Sequence, residues 1–459
     1  MKIHLIAACG TGMGTLACLL KEKGHSVSGS DQNVYPPMSD FLQANGIQLF
    51  EGYDPKNIDH EPDLVIIGNA ISKENVEAQA VMQKGISYLS MPQAVNRFIA
   101  KEKKIILVTG THGKTTTSSI MAHILYTAGM EPSFMIGGIV RDFQSSFRIG
   151  SGEYMVIEGD EYDTAFFDKG PKFMHYTPHI AIMTGIEFDH ADIFKDIDHI
   201  KSAFFAFVKK NKQTAQFIAF DDNQNLTAVL SECRVQAQTY GAKGQWSFAN
   251  HVQKEGLTFF DVTGPNTDFG VQTRMVGQHN VINSLACIAA ARQIGISESD
   301  IAQALSSFSG IKRRQEIRGV KNQITVMDDF AHHPTAVKET INAVKPFYKD
   351  GRIIAVFEPR TNTSMRKFFQ STYPDAFAQA DAVCICKPQV KKTISPEEKF
   401  STQQLVCDLE KKGIEAYHFE NTDDTIHFLK KYLRKKDLVL IMSNGGFDNI
   451  HERLLGAIE

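Results

Sequence analysis

In the stretch Val108-Thr109-Gly110-Thr111-His112-Gly113-Lys114-Thr115-Thr116-Thr117, an apolar strand pattern passes through a glycine-containing turn into a segment of helical periodicity. Such a strand, turn and helix direct backbone N–H groups and the positive end of the helix towards a bound phosphate. Lys114 would add positive charge for the β- and γ-phosphates, and the Thr115 hydroxyl would be able to reach Mg²⁺. The stretch therefore predicts a nucleotide site.

The glycine spacing of this stretch departs from the Walker pattern. That pattern has four residues between its first glycine and Gly-Lys-[Ser/Thr], whereas only Thr111 and His112 separate Gly110 from Gly113. The apolar residues after Thr115 nevertheless recur at helical spacing. Because the strand-turn-helix context is the one that phosphate binding needs, we favour a nucleotide site over a tight turn with a solvated lysine.

Length, composition and charge limit what the rest of the chain can be. A chain of 459 residues exceeds what one hydrophobic core usually supports, so we expect two or three domains. The net charge of -3 gives no general attraction to nucleic acid or anionic membranes. The seven cysteines are scattered, which fits a reducing setting, and we expect a cytoplasmic protein without a nucleic-acid or membrane partner.

The beginning of the chain carries a second glycine turn. A strand pattern over residues 2–8 runs into Cys9-Gly10-Thr11-Gly12-Met13-Gly14, and a second strand pattern ends at Asp31. This outline is typical of dinucleotide binding and allows an NAD-linked oxidoreductase. The last glycine is not in its usual place, however, and the same turn would hold the pyrophosphate of a UDP-sugar. Asn69, at the C-terminal end of the strand pattern at residues 64–69, should face the same crevice.

Two acidic clusters follow buried strand patterns in the middle of the chain. Glu158-Gly159-Asp160-Glu161-Tyr162-Asp163 follows residues 154–157, and Glu187-Phe188-Asp189-His190-Ala191-Asp192 follows residues 180–184. Hard cations choose carboxylate oxygens and keep contact with substrate phosphates, so these strand ends predict a Mg²⁺ site. Solvated loop charge is the alternative.

Later segments complete three α/β units. Residues 245–275 predict a minor β-meander, and an alanine-rich helix is predicted over residues 284–293. Asn280 and Asn283 would share a helix face and offer amides to a purine or phosphate, or an Asn would cap the helix. The predicted domains are a Rossmann-like N-terminal domain, a central P-loop ATPase-like domain and a C-terminal Rossmann-like α/β domain, at residues 1–101, 102–312 and 313–459.

Taken together, these motifs resemble the Mur ligase family over essentially the whole chain. The resemblance rests on the phosphate loop, the acidic strand ends, His279-Asn280-x-x-Asn283, a hinge arginine and Asp328-Asp329-Phe330-Ala331-His332-His333-Pro334. Blocks at residues 33–38, 160–169, 358–363 and 442–447 resemble the branch that joins a recycled cell-wall tripeptide to UDP-N-acetylmuramate. The branch that adds L-alanine to the same sugar is the alternative.

The resemblance implies an ATP-dependent amide ligase of peptidoglycan recycling. ATP, with Mg²⁺ or possible replacement by Mn²⁺, would convert the carboxylate of UDP-N-acetylmuramate to an acyl phosphate. The amine of L-alanyl-γ-D-glutamyl-meso-diaminopimelate would then displace phosphate. The expected partners are these two small-molecule substrates, and the expected state is a monomer or a weak homo-oligomer.

Family motifs also imply roles for individual residues. The ATP-binding set is Gly110, Thr111, His112, Gly113, Lys114, Thr115, Thr116, Asn280, Asn283, Arg314 and Asp329. Catalytic roles fall to Lys114, His190, Asn280, Arg314 and Asp329, and metal binding falls to Thr115, Glu158 and His190. The UDP-sugar would meet Gly10, Thr11, Gly12, Met13, Gly14, Asp31 and Asn69, and the peptide would meet His332, Arg360, Asn362, Ser443 and Asn444.

Some of these assignments have specific reasons or alternatives. An arginine fork such as that of Arg360 suits peptide carboxylates. His332 and His333 would orient substrate or phosphate, or a histidine before Pro334 would cap and pack a helix. Several relatives carry a carbamylated lysine about fifteen residues after the metal histidine. Here that position falls in residues 204–207, which are Phe-Phe-Ala-Phe, so a second metal would lack that ligand.

Overall fold

Three mainly parallel sheets, each flanked by helices, follow one another along the chain. The computed structural model describes residues 1–34, 38–387 and 394–458. Positions 35–37 of the block at residues 33–38, and the side chain of Thr11, lie outside this description. The three-domain α/β prediction is confirmed, while the domain boundaries stay predictions.

The first sheet has five parallel strands in the order β3-β2-β1-β4-β5. Its elements in chain order are β1 (Lys2–Ile6), α1 (Thr11–Glu22), β2 (Ser26–Asp31), α2 (Met38–Ala44), β3 (Gln48–Glu51), β4 (Leu64–Ile67), α3 (Val76–Gln83), β5 (Tyr88–Ser90) and α4 (Met91–Val95). The strand order reverses between β1 and β4, and ligands of open α/β sheets bind at such a point. The turn after β1 and Asn69 after β4 therefore line one crevice.

The central sheet has seven strands in the order β14-β13-β12-β6-β9-β7-β8. Its first elements are β6 (Lys104–Thr109), α5 (Lys114–Thr127), β7 (Ser133–Val140), β8 (Ser145–Arg148), β9 (Tyr154–Gly159) and β12 (Ile180–Met183). Between β9 and β12, β10 (Asp163–Ala165) and β11 (Asp168–Pro171) pair with each other as a separate two-stranded antiparallel sheet. The domain continues with α6 (Ile197–Asn211), β13 (Gln216–Phe220), α7 (Gln224–Cys233) and β14 (Gln238–Tyr240). β6 lies between β9 and β12, so the phosphate loop and both acidic clusters meet at one edge.

The predicted meander and alanine-rich helix complete the central domain. They comprise the antiparallel strands β15 (Ser247–Lys254), β16 (Leu257–Gly264) and β17 (Thr267–Thr273), followed by α8 (Gln278–Gln293) and α9 (Glu298–Ser307). The prediction that α8 begins at Ser284 was wrong. The helix begins at Gln278 because Gly277, with φ +94°, provides the break in the backbone one turn and a half earlier.

The third sheet has six strands in the order β18-β19-β23-β20-β21-β22, and only β18 pairs antiparallel. Its elements are β18 (Glu316–Lys321), β19 (Ile324–Asp329), α10 (Pro334–Val344), β20 (Ile353–Phe357), α11 (Tyr373–Ala376), β21 (Ala382–Cys386), α12 (Thr402–Lys411), β22 (Glu415–Phe419), α13 (Thr422–Tyr432), β23 (Leu438–Met442) and α14 (Ile450–Ala457). Among the described residues, none of the helices has the length and hydrophobicity of a bilayer-spanning segment.

The first two domains share an apolar contact. Phe41 and Phe147 pack with their ring centroids 6.0 Å apart, and Thr15 Oγ1 lies 2.9 Å from Ser146 Oγ in the same contact. Some of the buried residues of both sheets form one continuous core, while the rest form a separate cluster in each domain. The third sheet is packed within its own clusters. Residues that follow the strands of the central sheet form hydrogen bonds with the third domain.

Candidate active site

The phosphate loop between β6 and α5 depends on two glycines with positive φ. Gly110 has φ +125° and Gly113 has φ +77°. A Cβ atom on Gly110 would lie 2.5 Å from Thr184 Oγ1, and one on Gly113 would lie 2.6 Å from Asn283 Oδ1. Side chains at either position would both strain the backbone and collide with the neighbouring segments. The short spacing is therefore built into a tightly packed turn.

Lys114, the first residue of α5, is mostly buried, with its side chain 11% exposed, and its ammonium group makes three hydrogen bonds. Its Nζ donates to Gly110 O at 2.6 Å, to Thr111 O at 3.1 Å and to Glu161 Oε2 at 2.5 Å. Burial alone would lower the pKa of Lys114, but Glu161 and Asp160 raise it above its usual value. Burial would likewise raise the pKa of Glu161, yet Lys114 and His190 hold it below the usual value. Both members of the pair are therefore charged.

His190 lies on the other side of Glu161. Its Nε2 is 3.6 Å from Glu161 Oε2, and its backbone N donates to Asp189 Oδ1 at 2.7 Å. Burial would lower the pKa of His190, but Glu161 and Asp189 raise it. Glu161 thus bridges the phosphate-loop lysine and the predicted metal histidine, a role that the sequence did not assign to it.

A second oxygen cluster surrounds Thr115. Thr115 Oγ1 donates to Glu158 Oε1 at 3.0 Å, and Gly137 N donates to Glu158 Oε2 at 2.7 Å. A hydroxyl and a carboxylate converging beside a phosphate loop are the ligands that a hard cation such as Mg²⁺ selects. The residues present therefore fit the predicted metal, with the His190 imidazole close to the same strand ends.

Arg314 reaches this cluster from the hinge before the third sheet. One of its guanidinium nitrogens donates to Thr115 Oγ1 at 3.4 Å, and the guanidinium lies 4.6 Å from the ring centre of Phe330. Burial lowers the pKa of Arg314, and Asp329 and Glu158 oppose this shift. Asp329 accepts hydrogen bonds from the backbone N of residues 315 and 331, both at 2.8 Å. Burial raises the pKa of Asp329, and Arg314 opposes this shift. The hinge thus places Arg314 against the loop, with Asp329 of the third domain interacting with it electrostatically.

The two predicted asparagines support the loop from α8. Asn283 Oδ1 accepts from Thr117 Oγ1 at 3.3 Å, and Asn283 Nδ2 donates to Asn280 Oδ1 at 3.3 Å. Asn280 Nδ2 donates to Val276 O at 2.8 Å. The interpretation of an Asn cap was wrong, because Gly277 is the residue at the N-cap of α8.

The N-terminal turn contains no comparable charge pair among the described residues. Asp31 Oδ2 accepts from Cys9 N at 2.8 Å, so the acidic residue after β2 fixes the turn after β1. A Cβ atom on Gly14 would lie 2.6 Å from Met38 Sδ. Gly10 is the N-cap of α1, and its backbone oxygen accepts from Gly14 N at 2.7 Å. The turn offers backbone groups rather than charge.

The remaining predicted residues of this crevice differ in exposure. Met13 is buried, Asn69 is exposed, and a Cβ atom on Gly12 would lie 3.1 Å from Met91 Sδ. These positions are compatible with a crevice whose floor is apolar and whose rim is polar.

One group of predicted peptide contacts surrounds Glu358 at the end of β20. Ser443 Oγ donates to Glu358 Oε2 at 2.6 Å, and a guanidinium nitrogen of the exposed Arg360 lies 3.8 Å from the same oxygen. Arg313 holds this edge by donating to Ser443 O at 2.7 Å. Asn444 carries a buried side-chain oxygen that has no hydrogen-bond donor among the described residues.

Other predicted peptide contacts face the central domain instead. Asn362 Nδ2 donates to Asp192 Oδ2 at 2.8 Å, and His332 Nε2 lies 3.7 Å from Asp189 Oδ2. The capping interpretation of His333 is confirmed, because its side chain accepts from Thr335 N at the start of α10.

Comparison with known proteins follows the same division of the chain. The family descriptions "Mur ligase family, catalytic domain", "Mur ligase middle domain" and "Mur ligase, glutamate ligase domain" match residues 2–103, 108–291 and 313–445. A ligase of Escherichia coli K12, UDP-N-acetylmuramate–L-alanyl-γ-D-glutamyl-meso-2,6-diaminoheptandioate ligase, is 38% identical over 100% of this chain and 98% of its own. The chain belongs to the Mur ligase family.

Two further relatives are similar to this Mur ligase over nearly its whole length. A murein peptide ligase of Psychrobacter arcticus has a crystal structure that matches with a TM-score of 0.75 and 34% identity, covering 100% of this chain and 98% of that one. UDP-N-acetylmuramate–L-alanine ligase of Clostridium tetani is 32% identical over 97% of this chain and 95% of its own. The predicted family and the prediction of an ATP-dependent ligase are confirmed, and the oxidoreductase alternative loses its support.

In this Mur ligase, the predicted ATP and metal residues lie around the phosphate loop, and His332 and Asn362 contact the acidic segment beside it. The other predicted substrate residues lie at the N-terminal turn and around Glu358. Sequence reasoning gave no role to Glu161, Glu187, Arg313 or Glu358. The first two belong to the acidic clusters that were recognised as a whole. The sequence pattern indicated the acidic clusters, but it did not indicate which individual side chains would contact one another.

Proposed function

We propose that this Mur ligase joins the tripeptide L-alanyl-γ-D-glutamyl-meso-diaminopimelate to the carboxylate of UDP-N-acetylmuramate, with conversion of ATP to ADP and phosphate. The observation that carries the type of reaction is the convergence of Lys114, Thr115 and Arg314 on one phosphate loop. The choice of acceptor is supported by the full-length identity of 38% to a ligase whose name specifies that peptide.

In the first half of the reaction, the γ-phosphoryl group moves from ATP to a carboxylate oxygen, and ADP leaves. Both reactants are anions, so positioning and charge neutralisation are the main requirements. Lys114 and the loop N–H groups would hold the β- and γ-phosphates, and Arg314 would add charge from the hinge. The carboxylate is a poor acylating agent, and the new phosphate makes a good leaving group.

Thr115 and Glu158 would hold one Mg²⁺, or Mn²⁺ in its place, and His190 would serve a second. Such a cation supplies charge neutralisation of the phosphates when it is bound. The chain has no lysine at the expected carbamylation position, where Phe204 and Phe207 are buried in the core. Glu161 instead offers a carboxylate beside His190.

In the second half, the peptide amine attacks the acyl carbon, and a tetrahedral intermediate forms. The nitrogen loses a proton to solvent, and the bond between the acyl carbon and the phosphate oxygen breaks, which releases phosphate. The turn from Gly10 to Gly14 would hold the UDP group, with Asp31 fixing its shape. Arg360, with Ser443 and Asn444 beside it, would receive carboxylates of the tripeptide. The two substrates would thus enter from the first and third domains and meet at the central one.

A complete-mixture assay tests the proposal. ADP and phosphate should form when ATP, Mg²⁺, UDP-N-acetylmuramate and the tripeptide are all present, together with a product whose mass is the sum of sugar and peptide minus water. Omission of any one component should abolish product formation. Unchanged nucleotide in the complete mixture, or equal ADP formation without peptide, would contradict the proposal.

A second candidate is ligation of L-alanine to the same sugar. It is favoured by the 32% identity to the Clostridium tetani enzyme and requires the same phosphate loop. The two candidates differ only in the acceptor, so the phosphate site does not distinguish between them.

A further inference from the structure

The residues that follow β12 connect the phosphate loop to the third domain. We call residues 184–192 the coupling segment. On the loop side, Thr184 Oγ1 donates to His112 O at 2.5 Å, and Thr111 N donates to Gly185 O at 2.9 Å. Glu187 N donates to Thr111 Oγ1 at 2.9 Å. Displacement of this segment would therefore displace the loop.

The same segment is held by the third domain along its length. His333 Nε2 lies 3.2 Å from Phe188 O, and Ala191 N donates to Thr363 Oγ1 at 3.0 Å. The Phe188 ring also packs against Phe368, with ring centroids 5.1 Å apart. Because these partners come from loops at the start of α10 and after β20, they exist only while the third domain is docked.

One carboxylate oxygen of Glu187 contacts both the phosphate loop and the third domain. Its Oε2 accepts from Thr335 Oγ1 at 2.8 Å and lies 3.3 Å from His112 Nε2. Burial would raise the pKa of Glu187, but His112 and Thr335 lower it to about 2. The carboxylate is therefore ionised, and it links a phosphate-loop side chain to the first turn of α10.

Ligand atoms of His112, Glu187 and His333 lie within 4.8 Å of one another, which raises the question of a cation site. His333 Nδ1 already accepts from Thr335 N at 3.2 Å, and His333 Nε2 is engaged by Phe188 O. A cation would have to break either the helix cap or the contact with Phe188 O to use this histidine. The existing hydrogen bonds therefore favour a mechanical role over a metal site.

We propose that Glu187 is a positioning residue that couples docking of the third domain to the geometry of the phosphate loop. The role rests on the proposed function, in which the third domain brings the peptide. Loss of the link leaves the loop less well aligned when the peptide arrives, and a misplacement of about 1 Å at a reaction centre can cost about 10²-fold in rate. UDP-sugar binding, which belongs to the first domain, is independent of the link.

Thr335→Val and Glu187→Gln test this role in the full-length enzyme. Thr335→Val removes the hydroxyl with little change in shape, and Glu187→Gln removes the charge. Each should lower kcat about tenfold in the tripeptide assay, with an unchanged Kd for UDP-N-acetylmuramate by calorimetry. The double variant should be no slower than the slower single variant, because both changes break one link.

Two controls separate this role from general damage. Thr335→Ser keeps the hydroxyl and should restore kcat to within about twofold of the wild type. Glu398→Gln, at an exposed pair with Arg366, is a matched loss of a carboxylate from the third domain and should leave kcat unchanged.

Wild-type kcat in both single variants would overturn the proposal, as would multiplication of the two losses in the double variant. An equal loss in Thr335→Ser would overturn it as well. A wild-type enzyme that does not ligate the tripeptide would instead count against the proposed function, so the two failures are distinguishable.

Discussion

Two turns in this molecule share one backbone plan, a buried parallel strand followed by a glycine turn and a helix. The turn after β1 and the turn after β6 both present backbone N–H groups at a helix N-terminus. Only the second contains a lysine, which donates to the buried Glu161 at a neighbouring strand end. The first is fixed by Asp31 through a backbone hydrogen bond.

The difference shows how one motif serves two tasks. Backbone groups and a helix end suffice to hold a pyrophosphate, whereas transfer of a phosphoryl group between anions needs fixed charge as well. We therefore expect the first domain to bind the sugar at its uncharged turn. The central domain would perform the phosphoryl transfer at its charged turn. Changes to either turn should therefore affect different measured quantities.

The largest effect should come from Lys114→Ala. Loss of a charge contact that acts on the transferred phosphoryl group should lower kcat by roughly 10² or more. The Kd for UDP-N-acetylmuramate should stay within about twofold, because the first turn is unchanged. Steady-state kinetics measures kcat, and calorimetry measures the Kd. A loss of sugar affinity comparable to the loss of kcat would show that the two turns do not have separate roles.

The free energy of unfolding should report on the Lys114–Glu161 ion pair. Lys114→Met leaves Glu161 charged and only 2% exposed, so the free energy of unfolding should fall by about 3–5 kcal/mol. Lys114→Met combined with Glu161→Gln should recover much of that loss, since the buried carboxylate that has lost its lysine partner is gone. Urea unfolding measures both. A double variant that is less stable than Lys114→Met would mean that Glu161 is stabilised mainly by other groups.

A smaller effect is expected at the uncharged turn. Asp31→Asn weakens the acceptor for Cys9 N, a contact of about 1 kcal/mol, so the Kd for UDP-N-acetylmuramate should rise about fivefold. At saturating sugar, kcat should be unchanged. A drop in kcat with no change in sugar affinity would reverse the roles assigned to the two turns.

The smallest effect concerns acid stability at Glu187. Its folded pKa of about 2 lies below the unfolded value of about 4.3, so its contribution is complete above about pH 5 and is lost as the pH falls towards 2. The difference in urea midpoint between wild type and Glu187→Gln should therefore be smaller at pH 3.5 than at pH 7. A pH-independent difference would contradict an ionised Glu187.

The sheets could be predicted closely where strands are continuous apolar runs bounded by polar residues. β1, β4 and β12 begin at the residues where the sequence placed them and end one or two residues earlier, because strands buried on both faces leave little ambiguity. The start of α8 was missed, since its first three residues, Gln278, His279 and Asn280, are polar and show no apolar helical pattern.

For the site, the sequence predicted which clusters of residues come together. It did not predict which side chains form hydrogen bonds or ion pairs with one another. The sequence placed Lys114 and two acidic strand ends at one edge, but the Lys114–Glu161 contact spans 47 positions and the Glu187–Thr335 contact spans 148. No periodicity encodes such pairs. Asn362 illustrates the same limit, because it was assigned to the peptide and its amide donates to Asp192.

The most direct test of the account compares two acceptors under identical conditions. With ATP, Mg²⁺ and UDP-N-acetylmuramate in excess, kcat/KM is measured for L-alanyl-γ-D-glutamyl-meso-diaminopimelate and for L-alanine. We predict efficient formation of the UDP-N-acetylmuramoyl tripeptide and little or no product with L-alanine. Preference for L-alanine would contradict the assignment of the third domain to a tripeptide.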